Sequence, residues 1–312
     1  MKKSARLENK EIVFFFANYY SGATLLAFFL NNHSQLLCNG ETFPFSYSET
    51  DLYRCSCGKQ LKECDFYLSC ADQFNLRNPS NKNYRYFSIH PDYKTHKLIN
   101  KFISILAIPY SFRKNVLEWI SSLREQRETF LDLHLDFINK ACQYKNAKIY
   151  VDNTKSIQRC ELFLDFIDPN LKIIHLVRDG RAYFHSYKRN NPTTTESDHF
   201  IANKWQAYLN EISQLKARNP SIRLLNIRYE DLCENPAAEL EKICGFLSVD
   251  FDKNIYLKQQ YDHHILGNQM RLNFNWSFKK NDEVWRRELS AKEVDLCNSL
   301  QQNGLKEFAY HS

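Results

Sequence analysis

The chain has 312 residues, 43% of them hydrophobic and 25% charged, the balance of an ordinary globular protein. That length allows two small domains or one α/β domain with insertions, and no Pro-, Gly- or Ser-rich linker, internal repeat or low-complexity tract marks a boundary. The net charge of +6 is not gathered into a basic block, which argues against a nucleic-acid partner and suits a protein that handles small anions.

Lys2, Lys3 and Arg6 precede the first apolar run, Ile12-Val-Phe-Phe-Phe-Ala17. About six residues are too few for a signal-peptide core or a membrane span, and Ile103-Ser-Ile-Leu-Ala-Ile-Pro-Tyr110 is also too short. The expectation is a cytoplasmic protein without a transmembrane segment. The run has the length of a parallel strand covered on both faces. It breaks at Asn18-Tyr-Tyr-Ser-Gly-Ala-Thr24 and restarts as a helix over about 23–31. Gly22 permits a turn closed to other residues, and Ser21 and Thr24 supply hydroxyl donors beside a helix N-terminus. The G-x-x-x-x-G-K-[ST] pattern is absent, so this is not a Walker A loop.

An irregular, Cys- and aromatic-rich stretch covers about 40–95, and a helical insertion about 96–146, with Phe130, Leu131, Leu133, Leu135, Phe137 and Ile138 at helical spacing. Strands at about 147–151 and 171–177 flank a helix at about 156–166. Leu171-Lys-Ile-Ile-His-Leu-Val177 then repeats the earlier pattern, breaking at Arg178-Asp-Gly-Arg181 before a helix over about 180–190. Arg178 sits at the C-terminal end of its strand, where open α/β sheets bind ligands. Ser186 lies about two helical turns on, so both can face one phosphate. Two such strand-to-helix units imply a ligand with phosphates at two places. A longer helix contains Trp205–Leu215, a strand spans Ile222–Arg228, and a further helix begins near Pro236. Strands alternating with helices predict a three-layer α/β/α fold with a mainly parallel central sheet. We read residues 1–312 as one domain with a Cys-rich and helical insertion at about 40–146.

Ten cysteines remain to be placed. Cys38, Cys142, Cys160, Cys233, Cys244 and Cys297 are scattered and read as small buried hydrophobes. Cys55-Ser-Cys57-Gly and Cys64, with Cys70 beyond, form a cluster. A Gly beside a C-x-C turn suggests a metal knuckle, yet the usual C-x₂-C pair is missing. Structural zinc on Cys55, Cys57, Cys64 and Cys70, reduced thiols and a local disulfide all stay open.

In order and spacing the motifs resemble the sulfotransferases that use 3′-phosphoadenosine-5′-phosphosulfate (PAPS). Tyr20-Ser-Gly-Ala-Thr-Leu-Leu26 is similar to their P-loop-like 5′-phosphosulfate loop, and Val177-Arg-Asp-Gly-Arg-Ala182 with Ser186 to their 3′-phosphate site. Val151-Asp-Asn-Thr-Lys155 resembles a D-K-T-P segment, Arg228-Tyr-Glu-Asp-Leu232 a Y-E-D-L element, and Gly245-Phe-Leu247 an F-L-G helix end. His264-Ile-Leu-Gly-Asn-Gln-Met-Arg271 resembles the C-terminal H-x-x-x-G-N-x-x-R of many bacterial members, with Trp285 beyond it. A similar C-x-C-G-x₆-C element follows the first helix in many of them.

The resemblance implies sulfonate transfer from PAPS to a hydroxyl or amine of a glycan, lipid, peptide tyrosine or small molecule. It implies that Tyr20, Ser21, Gly22, Ala23 and Thr24 hold the phosphosulfate and that Arg178 and Ser186 hold the 3′-phosphate. Tyr229, Gly267, Asn268 and Arg271 would complete the nucleotide site. Glu41 matches the position of the catalytic Glu in carbohydrate- and protein-tyrosine-type members, with His33 competing as base or serving as a helix cap. Two departures stand out. Tyr20 replaces the usual Lys or Arg before Ser-Gly, and Asn153 replaces the Lys of the D-K-T-P segment. The missing charge then falls to Lys155, Arg181, Lys188 or Arg189, with Lys155 assigned to catalysis. Phe43, Phe45, Tyr47, Phe274, Trp276 and Trp285 are candidates for the acceptor cleft or for core. A silent PAPS-binding protein, a small-molecule kinase and a zinc-organised interaction protein are the competing functions.

Overall fold

The structure is a computed structural model that describes residues 7–41, 53–71, 110–257, 263–273 and 283–310. Phe43, Phe45, Tyr47, Phe274 and Trp276, with the expected structure at about 72–109, lie outside the described residues. Among the described residues the sheet has five parallel strands in the order β2-β3-β1-β4-β5, with helices around it. These strands are β1 (Glu11–Ala17), β2 (Leu36–Leu37), β3 (Ile149–Asp152), β4 (Lys172–Val177) and β5 (Arg223–Arg228). The predicted parallel α/β architecture is therefore observed. No described helix is long and apolar enough to cross a membrane.

The chain divides into two compact units. The first comprises Met1–Ile12, Ser34–Thr154 and Tyr261–Asn273. In it β2 pairs with β3 through Leu36–Ile149 and Leu37–Tyr150. Helices α2 (Asp65–Cys70), α3 (Tyr110–Trp119) and α4 (Ser121–Lys145) accompany this pair. Along α4 Phe130, Leu131, Leu133, Phe137, Ile138, Ala141 and Cys142 are buried, a broad apolar face at helical spacing.

The second unit comprises Val13–His33, Lys155–Gln260 and Phe274–Ser312. Val13 through Ala17 of β1 pair with Lys172 through Leu176 of β4, and β4 pairs along its length with Arg223–Arg228 of β5. Both β1 and β4 are buried on both faces, which is why they read as continuous apolar runs, whereas the edge strand β5 is half-exposed. Helix α1 (Ala23–Asn32) follows β1, and every residue in it except Thr24 is buried. Around these strands run α5 (Ile157–Phe166), α6 (Gly180–Asn190), α7 (Asp198–Arg218), α8 (Tyr229–Glu234) and α9 (Pro236–Leu247), then α10 (Asn254–Leu257), α11 (Trp285–Glu288), α12 (Ala291–Leu300) and α13 (Gln302–Glu307). Val177, Tyr183, Phe184, Ile201, Trp205, Leu209, Leu305 and Phe308 form one core cluster beneath the end of β4. That cluster fixes the strand end from which Arg178 emerges.

Candidate active site

The β1–α1 connection has a demanding backbone. Gly22 is the N-cap of α1 at φ +82°, and a Cβ there would lie 2.3 Å from Cε2 of Tyr229. Conformation and space both require glycine. The first-turn amides that follow have no partner within the helix, which is the geometry that receives an anion. Thr24 keeps partial exposure on an otherwise buried helix, and buried Ser21 donates to the Tyr19 carbonyl at 3.4 Å. Tyr20 also has a left-handed backbone, φ +58°. Its hydroxyl accepts from Asn191 Nδ2 at 2.8 Å, and its ring meets Tyr187 edge-on at 5.8 Å. The side chain at the position where the resemblance expects a cation thus packs on the C-terminal part of α6.

Arg178 is held from several sides. Its carbonyl accepts from Trp205 Nε1 at 3.0 Å, and the next amide, Asp179 N–H, donates to Glu230 Oε1 at 3.0 Å. Glu230 is fixed in turn by the Tyr310 hydroxyl at 2.7 Å, and burial raises its carboxyl above the usual range. With the main chain locked, the guanidinium Nη1 donates to Ser186 Oγ at 3.1 Å and to the Tyr20 carbonyl. The same group lies 5.3 Å from the ring centroid of Tyr229, the buried first residue of α8. Tyr20, Gly22, Arg178, Ser186 and Tyr229, expected from sequence to serve one nucleotide, are thereby brought together in the second unit.

The second helix N-terminus differs from expectation. Asp179 caps α6 by accepting from Arg181 N–H at 2.8 Å, and its carboxylate also takes Arg181 Nε and Nη2 at 3.0 and 2.7 Å. A carboxylate already fills the position a phosphate would take. The pair expected to take an anion there, Arg178 and Ser186, stands apart from that capped helix end. Arg181 is buried and lies 4.3 Å over the Trp285 ring, so that tryptophan serves as its platform. Lys188 is paired with Glu293 at 2.6 Å and Asp198 at 3.1 Å. Arg189 is exposed, and half-buried Lys155 has φ +60° in the turn between β3 and α5. His33 is the C-cap of α1 and its buried ring bonds the Asp250 carbonyl at 2.9 Å, which fits the cap role.

Glu41, Gly267, Asn268 and Arg271 gather in the first unit. Gly40 bridges to Leu266 in parallel, Glu41 N–H donates to the Leu266 carbonyl at 3.3 Å, and Ile265 N–H donates to the Asn39 carbonyl at 2.9 Å. A Cβ on Gly267, which has φ +121°, would lie 3.9 Å from Glu41 Oε1. Arg271 is buried and donates to the carbonyls of Gly267, Asn268 and Arg54 at 2.9, 3.2 and 3.0 Å. Burial pulls its guanidinium below the ordinary value, opposed by the nearby Glu41 carboxylate. Arg271 therefore braces the strip that carries Glu41.

In the same unit Cys55, Cys57, Cys64 and His263 have ligand atoms within 4.8 Å of one another. Cys70, the expected fourth sulfur, is buried at the end of α2 outside this group, and His263 stands in its place. No disulfide joins the described cysteines. Sequence reading missed His263, because a ligand 199 residues from Cys64 leaves no trace in local spacing.

Residues 19–253 match the model of the sulfotransferase family. The chain belongs to that family. Among curated proteins it is 27% identical to carbohydrate sulfotransferase 1 of Danio rerio over 46% of this chain and 39% of that protein. It is 27% identical to a putative protein-tyrosine sulfotransferase of Caenorhabditis briggsae, over 34% of this chain and 37% of the other. The chain thus spans about two fifths of the length of these relatives. Two solved structures share the fold at low identity. The sulfotransferase domain of the Synechococcus PCC 7002 olefin synthase aligns with TM-score 0.53 and 17% identity, over 95% of this chain and 97% of that one. The sulfotransferase domain from the curacin biosynthetic pathway aligns with TM-score 0.51 and 16% identity, over 95% and 98%.

Proposed function

We propose that this protein transfers a sulfonate group from PAPS to a hydroxyl of an acceptor, releasing 3′-phosphoadenosine-5′-phosphate. The observation that carries the reading is Arg178. One guanidinium spans Ser186 and the Tyr20 carbonyl, which joins the 3′-phosphate pair to the loop expected to hold the 5′-phosphosulfate. Family membership supplies the donor class.

In this reading Ser21, Gly22, Ala23 and Thr24 receive the 5′ group through the first-turn amides and hydroxyls. Arg178 and Ser186 take the 3′-phosphate, with Tyr229 beside the nucleoside. Glu41 accepts the acceptor's proton as the new S–O bond forms and the bond to the phosphosulfate bridging oxygen breaks. By analogy with phosphoryl transfer, positioning and stabilisation of negative charge do most of the work. Lys155, which ends the Val151-Asp-Asn-Thr-Lys155 segment that resembles the D-K-T-P element, is the proposed cation for the leaving group. Relatives named for carbohydrate and for protein tyrosine motivate a hydroxyl acceptor, whether sugar or phenol.

Calorimetry with 3′-phosphoadenosine-5′-phosphate and adenosine-5′-phosphate tests the assignment. Arg178→Ala and Ser186→Ala should weaken the first strongly and the second little, since charge-assisted contacts contribute about 1.5–3 kcal/mol. Equal affinity of the wild type for the two nucleotides would refute it. Release of 3′-phosphoadenosine-5′-phosphate from PAPS, slow without acceptor, then separates an enzyme from a silent binder. The silent reading is favoured by one observation, the Tyr20 side chain at the cation position anchored to Asn191.

A further inference from the structure

We propose that Cys55, Cys57, Cys64 and His263 bind one structural Zn²⁺ and that this ion secures the strip carrying Glu41. Cys64 Sγ lies 3.3 Å and Cys55 Sγ 3.6 Å from His263 Nδ1, and Cys57 Sγ lies 3.9 Å from Cys64 Sγ. A tetrahedral zinc with Zn–S of about 2.3 Å and Zn–N of about 2.0–2.1 Å requires ligand separations of about 3.5–3.8 Å. The observed separations bracket that range. Three sulfurs and an imidazole are a soft donor set suited to zinc and unsuited to magnesium or calcium. With all four positions supplied by protein the site is closed, the mark of a structural ion.

The surroundings are built for it. Cys55 N–H donates to the Lys59 carbonyl and Gly58 N–H to the Cys55 carbonyl, both at 2.9 Å, folding the C-x-C-G segment into a tight turn. Gly58, at φ +87°, supplies the backbone this turn needs. The His263 ring stacks on Phe66 at 5.0 Å and meets Tyr144 edge-on at 5.8 Å, which fixes its plane. Cys55 and Cys64 are fully buried. Coordination through Nδ1 leaves the proton on Nε2, and the thiols release their protons on binding.

The ion joins two pieces of chain far apart in sequence, and those pieces hold Glu41. Ser56 N–H donates to the His264 carbonyl at 3.1 Å, and His264 N–H donates to Ser56 Oγ at 2.8 Å. From His264 the chain passes directly to Ile265 and Leu266, which bond Asn39 and Glu41. The role for Glu41 rests on the proposed function. The metal site itself does not.

Metal content is the first test. Protein purified from zinc-supplemented cells should carry one zinc per chain by mass spectrometry of metals. Cobalt exchanged into it should show the visible d–d bands of a tetrahedral site and sulfur-to-cobalt charge transfer. Cys70→Ser should keep the full equivalent, whereas Cys64→Ser and His263→Ala should lose most of it. Because those variants can misfold, the second test uses the wild type, stripped by a chelator and reloaded. Hydrogen exchange at the amides of Glu41, Ser56 and Ile265 should speed on stripping and slow again on zinc addition. Wild-type protein without zinc, a Cys57–Cys64 disulfide in its place, loss of metal in Cys70→Ser with retention in His263→Ala, or exchange indifferent to zinc would each overturn the proposal. None of these readouts needs catalysis, so failure of the sulfonate-transfer reading would be seen separately.

Discussion

Gly22 and Tyr229 lie in such close contact that a single added carbon on one would overlap the ring of the other. The loop that opens α1 and the residue that opens α8 are therefore fitted to each other. We expect Gly22→Ala to lower nucleotide affinity at least tenfold, from steric overlap and from strain of about 1–3 kcal/mol at a left-handed backbone. Tyr229→Ala should restore part of that loss in the double variant, since only the overlap is relieved. A double-mutant cycle by calorimetry with 3′-phosphoadenosine-5′-phosphate measures the coupling, and additivity would show the contact to be unimportant.

Tyr20 is expected to act as an anchor of the loop. Tyr20→Phe and Asn191→Ala remove the two ends of one hydrogen bond, worth about 0.5–1.5 kcal/mol. Each should weaken nucleotide binding a few-fold, and together they should do no worse than either alone. A much larger loss of turnover in Tyr20→Phe than in Asn191→Ala would instead make the hydroxyl a participant in the chemistry.

Glu41→Gln should leave nucleotide affinity in place and reduce turnover by roughly 10²–10⁴-fold, the usual scale for a general base. The amide preserves shape and the backbone contact with Leu266 while removing basicity. Full activity in this variant would move the base elsewhere. His33 is a poor substitute because its ring is buried and bonded to the Asp250 carbonyl.

His175 should make the fold acid-sensitive. Burial lowers its pKa from 6.5 to about 4, only partly offset by the hydrogen bond between Nδ1 and Asn226 Oδ1 at 3.0 Å. The unfolded chain thus binds a proton more readily than the folded one. Stability is retained above the unfolded value and is lost as pH falls from about 6.5 to about 4, by an amount on the order of 3 kcal/mol. Denaturant midpoints at pH 7 and pH 5 should differ less in His175→Gln than in the wild type. An unchanged difference would assign the acid sensitivity to other groups.

The parallel sheet was legible because β1 and β4 are covered on both faces and read as unbroken apolar runs. The meeting of Arg178 with Ser186 was legible because a residue at the end of a strand and one about two turns along the following helix can reach the same side. Other features left weaker signals. β2 is two residues long, too short for any periodicity, and α8 begins at Tyr229 directly after the last residue of β5, with no turn residue between them. Helix α12 was readable in principle, since Ser290 and Glu293 form a capping box, a purely local signature. Asp179 before α6 was a readable cap residue too, but the pairing of its carboxylate with the Arg181 guanidinium could be known only from the geometry. His263 joined the cysteines only through tertiary structure.

The phosphate-binding groups of the proposed function, Ser21 to Thr24, Arg178 and Ser186, lie in one compact unit, while Glu41 and the Cys/His cluster lie in the other. On the proposed function, phosphate recognition and acceptor activation are thus encoded on separate parts of the chain, as on two modules of a tool. The proposed function then predicts that variation in the stretch from Ser34 to Thr154 retunes what is modified while the chemistry of the sulfonate source stays the same. A library confined to that stretch, screened against alternative hydroxyl acceptors, should yield altered acceptor preference among clones that still bind 3′-phosphoadenosine-5′-phosphate like the parent.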